Sequence, residues 1–105
     1  MKLRDIPKKE HERVPGIHQK VLFPNGWGLS IVSGSSYFYV DEKHPYEIAV
    51  IVSEDPISET VINPDNNQYK YHIDYRHTDG DVIGHLTEKQ VDKWLEKVEN
   101  FESIG

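Results

Sequence analysis

The stretch Phe23-Pro24-Asn25-Gly26-Trp27-Gly28-Leu29-Ser30-Ile31-Val32 constrains this chain more than any other. An Asn-Gly pair supplies the positive backbone angles of a tight type I′ hairpin turn, while Pro24 before it suits a type I or II turn with a wider loop. Beyond the turn, Trp27, Leu29 and Ile31 fall on one face of a strand, and Gly28, Ser30 and Val32 on the other. A hairpin with one apolar face must bury that face, so the chain needs a sheet and something to cover it.

The cover is legible at the other end. Thr87 is an N-cap with Gln90 three residues on to complete a capping box, and Leu86 with Val91 forms a hydrophobic staple across it. Val91, Trp94, Leu95, Val98 and Phe101 then recur at helical spacing, whereas Glu88, Asp92, Lys93, Glu96 and Lys97 face water. The pattern predicts one amphipathic helix over residues 87–102.

Between these ends lie further strand signals. Tyr37-Phe38-Tyr39-Val40 is a short aromatic and β-branched run, and Tyr46 to Val52 is apolar enough for a central strand. Glu59-Thr60-Val61-Ile62 fits a short strand. Tyr69 to Arg76 alternates without a fault, which predicts Tyr69, Tyr71, Ile73 and Tyr75 inward and Lys70, His72, Asp74 and Arg76 outward. Strands in succession followed by a terminal helix give an α+β class: an antiparallel or mixed sheet of about four to five strands, covered on one face by the helix.

A chain of 105 residues is one ordinary domain. Residues 1–20 hold six Lys and Arg against three Asp and Glu, and residues 21–105 hold six against fifteen. The expected organisation is a basic, flexible N-terminal arm over 1–20 and an α+β domain over 21–105. A body of that sign repels a phosphate backbone, so direct nucleic-acid binding is not expected. Absence of cysteine excludes disulfides and thiolate zinc sites. Charge follows Met1 directly and no apolar run reaches membrane length, which gives the expectation of a cytoplasmic protein without a membrane partner.

Three blocks, Phe23-Pro24-Asn25-Gly26-Trp27-Gly28 with Ser30, Tyr46-Glu47-Ile48-Ala49-Val50, and Asp81-Val82-Ile83-Gly84-His85-Leu86-Thr87, carry a resemblance. The chain resembles, over about residues 21–100, a group of small bacteriophage and prophage proteins with the pattern F-P-N-G-Y-G-x-S, Y-E-V-A-V and D-V-I-G-x-L-T. Trp27 stands where that group has tyrosine. The resemblance implies a phage or prophage accessory product and transfers no catalytic residue.

Catalytic signatures are sparse. No nucleophile elbow, phosphate-binding loop or zinc-protease motif occurs, and Gly26-Trp27-Gly28 precedes a strand rather than opening a helix, unlike a dinucleotide fingerprint. His72, Asp74 and His77 form a candidate metal or acid–base set, although alternating Lys, His, Asp and Arg is what any solvated strand face shows. No cofactor is expected.

Binding is the leading reading. The aromatics exceed what the helix stripe and one strand face require, so Trp27, Tyr37, Phe38 and Tyr39, with the neighbouring Asp41 and Glu42, are the candidate binding residues. Trp27 has core packing beside Leu29 and Ile31 as its simpler role. The expected function is a non-enzymatic accessory protein that binds a host or phage protein and inhibits a host function or defence system. One alternative is an acidic nucleic-acid mimic occupying a basic site on a nuclease or polymerase. A second is a small metal- or ligand-dependent enzyme built on His72, Asp74 and His77.

Overall fold

In the computed structural model, which describes residues 1–103, the Phe23–Val32 block folds as turn and strand. The Gly26 N–H donates to the Phe23 carbonyl over 2.9 Å and the Phe23 N–H to the Trp27 carbonyl over 2.8 Å. Gly26 alone takes a left-handed angle, φ 89°, while Asn25 does not. The turn is therefore the wider form that Pro24 favours, not the type I′ turn of an isolated Asn-Gly pair.

A 3-10 helix at Leu3–Asp5 is followed by strands β1 (Lys9–Glu10), β2 (Ile17–Leu22), β3 (Trp27–Ser33), β4 (Tyr46–Ser53), β5 (Val61–Ile62), β6 (Tyr71–Ile73) and β7 (Ile83–Leu86), then by helix α1 (Glu88–Glu99). The fold is α+β, and every strand pair is antiparallel. The long strands run in the order β2-β3-β4. Short strands share their outer edges: β1 and β5 both pair with β2, and β6 and β7 both pair with β4. Sharing of edges is why seven strands appear among the described residues where the sequence predicts four to five.

One face of the sheet and the inner stripe of α1 make the core. Val21, Trp27, Leu29, Ile31, Ile48, Val50 and Val52 meet Val91, Leu95 and Val98 there, and Trp94 and Phe101 are partly buried against them. The helix starts as its residues dictate: the Gln90 N–H donates to Thr87 Oγ1 over 3.2 Å, and the Thr87 N–H donates to Gln90 Oε1 over 2.8 Å. No helix among the described residues is long and apolar enough to cross a membrane.

Three sequence expectations are corrected. Residues 1–20 do not form an arm outside the fold: Leu3 and Ile6 are buried in the core, and β2 begins at Ile17. The segment is held by polar side chains from later in the chain. The Leu3 N–H donates to Asp92 over 2.7 Å, Gln19 Nε2 to the Ile6 carbonyl over 2.7 Å, and Asn63 Nδ2 to the Pro7 carbonyl over 2.9 Å. Next, Tyr37–Val40 is a series of turns and bends rather than a strand. The Tyr39 carbonyl is instead taken by the His85 N–H over 2.7 Å, which ties this loop to β7. Last, β6 covers only Tyr71–Ile73, and its surroundings invert the expected alternation: Ile73 and Tyr75 are exposed, while Asp74 is buried. The Asp74 carboxylate is satisfied there by the Arg76 main-chain N–H and by Nε and Nη2 of the Arg76 guanidinium, which covers it from the solvent side.

Candidate functional site

The sheet face opposite α1 carries smaller and more polar residues. Period-2 alternation puts His18, Lys20 and Leu22 of β2 on it, with Gly28, Ser30 and Val32 of β3 and Glu47, Ala49 and Ile51 of β4. Lys20 on β2 reaches Tyr71 on β6, and its ammonium donates to the tyrosine hydroxyl over 2.7 Å. Two strands separate them, so the backbones would stand about 14 Å apart in a flat sheet. Contact between the side-chain tips follows from a sheet curled toward this face over the small residues Gly28, Ser30 and Ala49.

The result is a cleft of about 370 Å³. Strand residues Ser30, Ala49, Ile51 and Ile73 line it, and walls come from the β1–β2 connection (His11, Glu12 and Arg13), Phe38 and Val82. One connected hydrogen-bond network runs from the exposed Glu12 in the wall to His18 and Ser30 on the floor, with the buried Lys20 behind it. Glu12 Oε2 lies 2.9 Å from His18 Nδ1, His18 Nε2 lies 2.7 Å from Ser30 Oγ, and Lys20 Nζ lies 3.4 Å from Glu12 Oε1.

Protonation in this network can be assigned from its environment. Burial pushes the Glu12 carboxyl up, but the His18 hydrogen bond, its own backbone N–H and the charges of His18 and Lys20 together hold it down at about 2. Glu12 is therefore a carboxylate and only accepts. Burial lowers His18 below its ordinary value, against the upward pull of Glu12, so at neutral pH the ring is uncharged. A neutral ring facing an acceptor at Nδ1 must carry its proton there. Nε2 is then the acceptor, and Ser30 Oγ–H donates to it. Glu47, also on this face, is pushed up by burial.

His11, Glu12 and His18 are the one set of three His or carboxylate residues, among the described residues, whose ligand atoms come within 4.8 Å of one another. The two imidazoles stack with centroids 4.7 Å apart and planes 16° apart. Nearly parallel rings aim their in-plane lone pairs side by side instead of at a common point. Both His18 nitrogens are engaged, and His11 Nδ1 accepts from the Arg13 N–H over 3.1 Å. With the Lys20 ammonium also beside Glu12, the arrangement suits a relay better than a cation cage.

The residues singled out from sequence lie elsewhere, with one exception. Phe38 is part of the cleft wall. Tyr37 and Tyr39, on either side of it, are 72% and 63% exposed. Trp27 is 5% exposed and packs edge-on to His77 and Phe101, while its Nε1–H donates to the Glu102 carbonyl over 3.0 Å. It is a core residue with no exposed anchor surface. Asp41 and Glu42 are exposed, and Asp41 accepts from the main-chain N–H groups of Lys43 and His44 over 2.9 and 2.8 Å. His72, Asp74 and His77 are not brought together: His72 lies 4.0 Å from Glu54, Asp74 is held by Arg76, and His77 stacks on Phe101 at 4.4 Å. Arg76 holds the Asp74 carboxyl below the usual carboxylate range.

Sequence patterning alone does not unite Glu12, His18, Lys20, Ser30 and Tyr71 as a group. Their signal was present in part, because a hairpin turning at Phe23–Gly26 sets Lys20 opposite Ser30 and His18 opposite Val32. No protein-family model matches the chain, and no curated protein or solved structure is significantly similar to it.

Proposed function

We propose that this protein is a binding module that receives a protein partner at the cleft mouth, with Tyr37 and Tyr39 as anchors. The observation that carries the reading is the loop at residues 37–39. Two of its aromatics stand 72% and 63% exposed, and Phe38 between them turns in to wall the cleft. Tyrosines in such a position offer large contact area at small entropic loss, together with a hydroxyl for a polar rim. Gly84 supports the loop from beneath, since a Cβ there would stand 2.3 Å from the Tyr39 carbonyl oxygen. The resemblance to phage and prophage proteins makes a host or phage protein the partner class, and inhibition of a host function the consequence of binding.

The test is quantitative capture from host lysate, comparing the unaltered chain with a Tyr37→Ser/Tyr39→Ser double variant of equal thermal stability. Loss of two anchors should weaken capture of the specific partner by about thirtyfold or more. Equal capture by both proteins would remove the loop as the interface.

A further inference from the structure

We propose that Ser30, His18 and Glu12 form a nucleophile–base–carboxylate relay that hydrolyses esters of short, uncharged, apolar acyl groups in the cleft. The proposal stands on the cleft floor and does not depend on partner docking at the tyrosine loop.

The three groups are connected in the order that acyl transfer requires. Ser30 Oγ is 2.7 Å from His18 Nε2, and His18 Nδ1 is 2.9 Å from Glu12 Oε2. This is the geometry by which such relays are recognised, whatever the fold or the order of residues in the chain. Ser30 is half-buried and lines the cleft, so its hydroxyl is open to a ligand there. Glu12 fixes the His18 tautomer that leaves Nε2 free to take the serine proton. It acts as a positioning residue, and Ser30 and His18 as the catalytic ones.

Ser30 sits within β3, with β2 and β4 paired on its two sides. Its neighbourhood therefore offers no turn of free backbone N–H groups for an oxyanion. Side chains supply donors instead. Lys20 is the cross-strand partner of Ser30, and two of its three ammonium protons go to Tyr71 and Glu12. Lys20 is itself buried behind the cleft lining and polarises the Tyr71 hydroxyl, which does line the cleft and has its own proton to donate to negative charge developing on a substrate oxygen.

In the reaction, the Ser30 Oγ–H proton passes to His18 Nε2 as Oγ bonds to the ester carbonyl carbon. The carbonyl electron pair moves onto oxygen, opposite the Tyr71 hydroxyl that Lys20 polarises. The pair returns as the carbon–alkoxide bond breaks, and His18 Nε2–H protonates the departing alcohol. Water then repeats the sequence on the acyl-serine, giving its proton to His18 and releasing the carboxylic acid with Ser30 restored. Ile51, Ile73, Val82 and Phe38 give the acyl chain apolar walls, and a cleft of about 370 Å³ limits its size. The Glu12 and Glu47 carboxyl groups on this face disfavour an anionic acyl group.

The test uses the full chain and an alkyl fluorophosphonate, with intact mass and peptide mapping as the readout. One adduct on Ser30 is expected, absent in Ser30→Ala and formed about a hundredfold more slowly or worse in His18→Gln. p-Nitrophenyl butyrate turnover should fall in the same order, and Glu12→Gln, which removes the upward pull on His18, should shift the pH profile of labelling toward lower pH. An unlabelled wild-type chain, an adduct at another residue, or equal rates in His18→Gln would overturn the proposal. Ser30→Cys adds a check that survives any loss of stability in the other variants, because the chain has no other cysteine. Its iodoacetamide alkylation should report a thiol pKa below the ordinary ~8.5 that rises again when His18→Gln is added. An unshifted thiol counts against the relay.

Discussion

The side-chain amide of Asn25 donates to the main-chain carbonyl of Val98 over 3.0 Å, joining the β2–β3 turn to the last turn of α1. The same nitrogen reaches the carbonyls of Glu99 and Phe101, at 3.3 and 3.1 Å. Asn25 Oδ1 meanwhile accepts the Trp27 N–H over 3.0 Å, which fixes which end of the amide faces the helix. A helix C-terminus presents carbonyls without partners and the negative end of the macrodipole. Asn25 answers both needs from the other end of the chain.

Asn25→Ala should therefore lower stability by about 1 kcal/mol, the net worth of partly exposed hydrogen bonds, since the Val98 carbonyl keeps the Phe101 N–H. Asn25→Asp should be worse than Ala despite its closer shape, because a carboxylate would face carbonyl oxygens and the negative end of the helix. Urea unfolding of the two variants decides the matter, and an Asp variant more stable than Ala would refute the capping role.

Gly28 lies three residues on, and its space is set by backbone. A Cβ there would stand 2.0 Å from the Val21 carbonyl oxygen, within the β2–β3 ladder. Nothing flexible can give way, so the strands must separate. Gly28→Ala should cost about 2 kcal/mol or more, toward or beyond the upper end of overpacking effects. Gly34→Ala provides the contrast. Its φ of 77° is strained for alanine, but the nearest atom to a new Cβ is 3.6 Å away, which predicts a smaller loss of about 1 kcal/mol. Chemical denaturation of both variants should rank them in that order.

Leu3→Ala and Ile6→Ala test the placement of the N-terminal segment. Each side chain is buried in the core, so each substitution should lower stability by about 2–5 kcal/mol, as core truncations do. A detached arm would make both substitutions silent in thermal unfolding.

Elements whose signal is local were legible in the sequence. The Thr87 cap, the Val91–Leu95–Val98 stripe and the alternation of β3 and β4 depend on neighbours within a turn or a hairpin. Leu3 and Ile6 gave no periodic signal, being two apolar residues among charges. They pack into the core cluster, and their main chain is held there by Asp92 and Gln19, contacts that no local pattern announces. Tyr37–Val40 read as a strand because its composition suits one. Its backbone is instead claimed by His85 and packed on Gly84, a tertiary contact with no local trace. The cleft network was hidden for the same reason, since Glu12, His18, Ser30 and Tyr71 are united only by strand register and sheet curl. Phe38 was legible as a binding candidate from its aromatic setting alone.

The pH dependence of stability tests the network by its sign. Burial lowers His18 in the folded state below its ordinary 6.5, which the unfolded chain retains. As pH falls below about 6.5, the unfolded chain takes up a proton that the folded one refuses, so acid favours unfolding through this residue. Its contribution is fully present above 6.5 and is lost as pH drops toward the folded value. Glu12 acts later and in the same direction: held at about 2 against an ordinary 4.5, it favours the folded state above 4.5 and loses that effect between there and about 2. Glu47 is pushed up by burial and so opposes both, favouring the folded state as acid protonates it. That opposing effect is shared by the wild-type chain and His18→Gln, and cancels in their difference. The melting temperature of the wild type should therefore fall more than that of His18→Gln between about pH 8 and pH 5.5. Parallel curves over that interval would mean that His18 titrates no differently in the folded and unfolded chains, and that it is not the buried neutral base of the cleft.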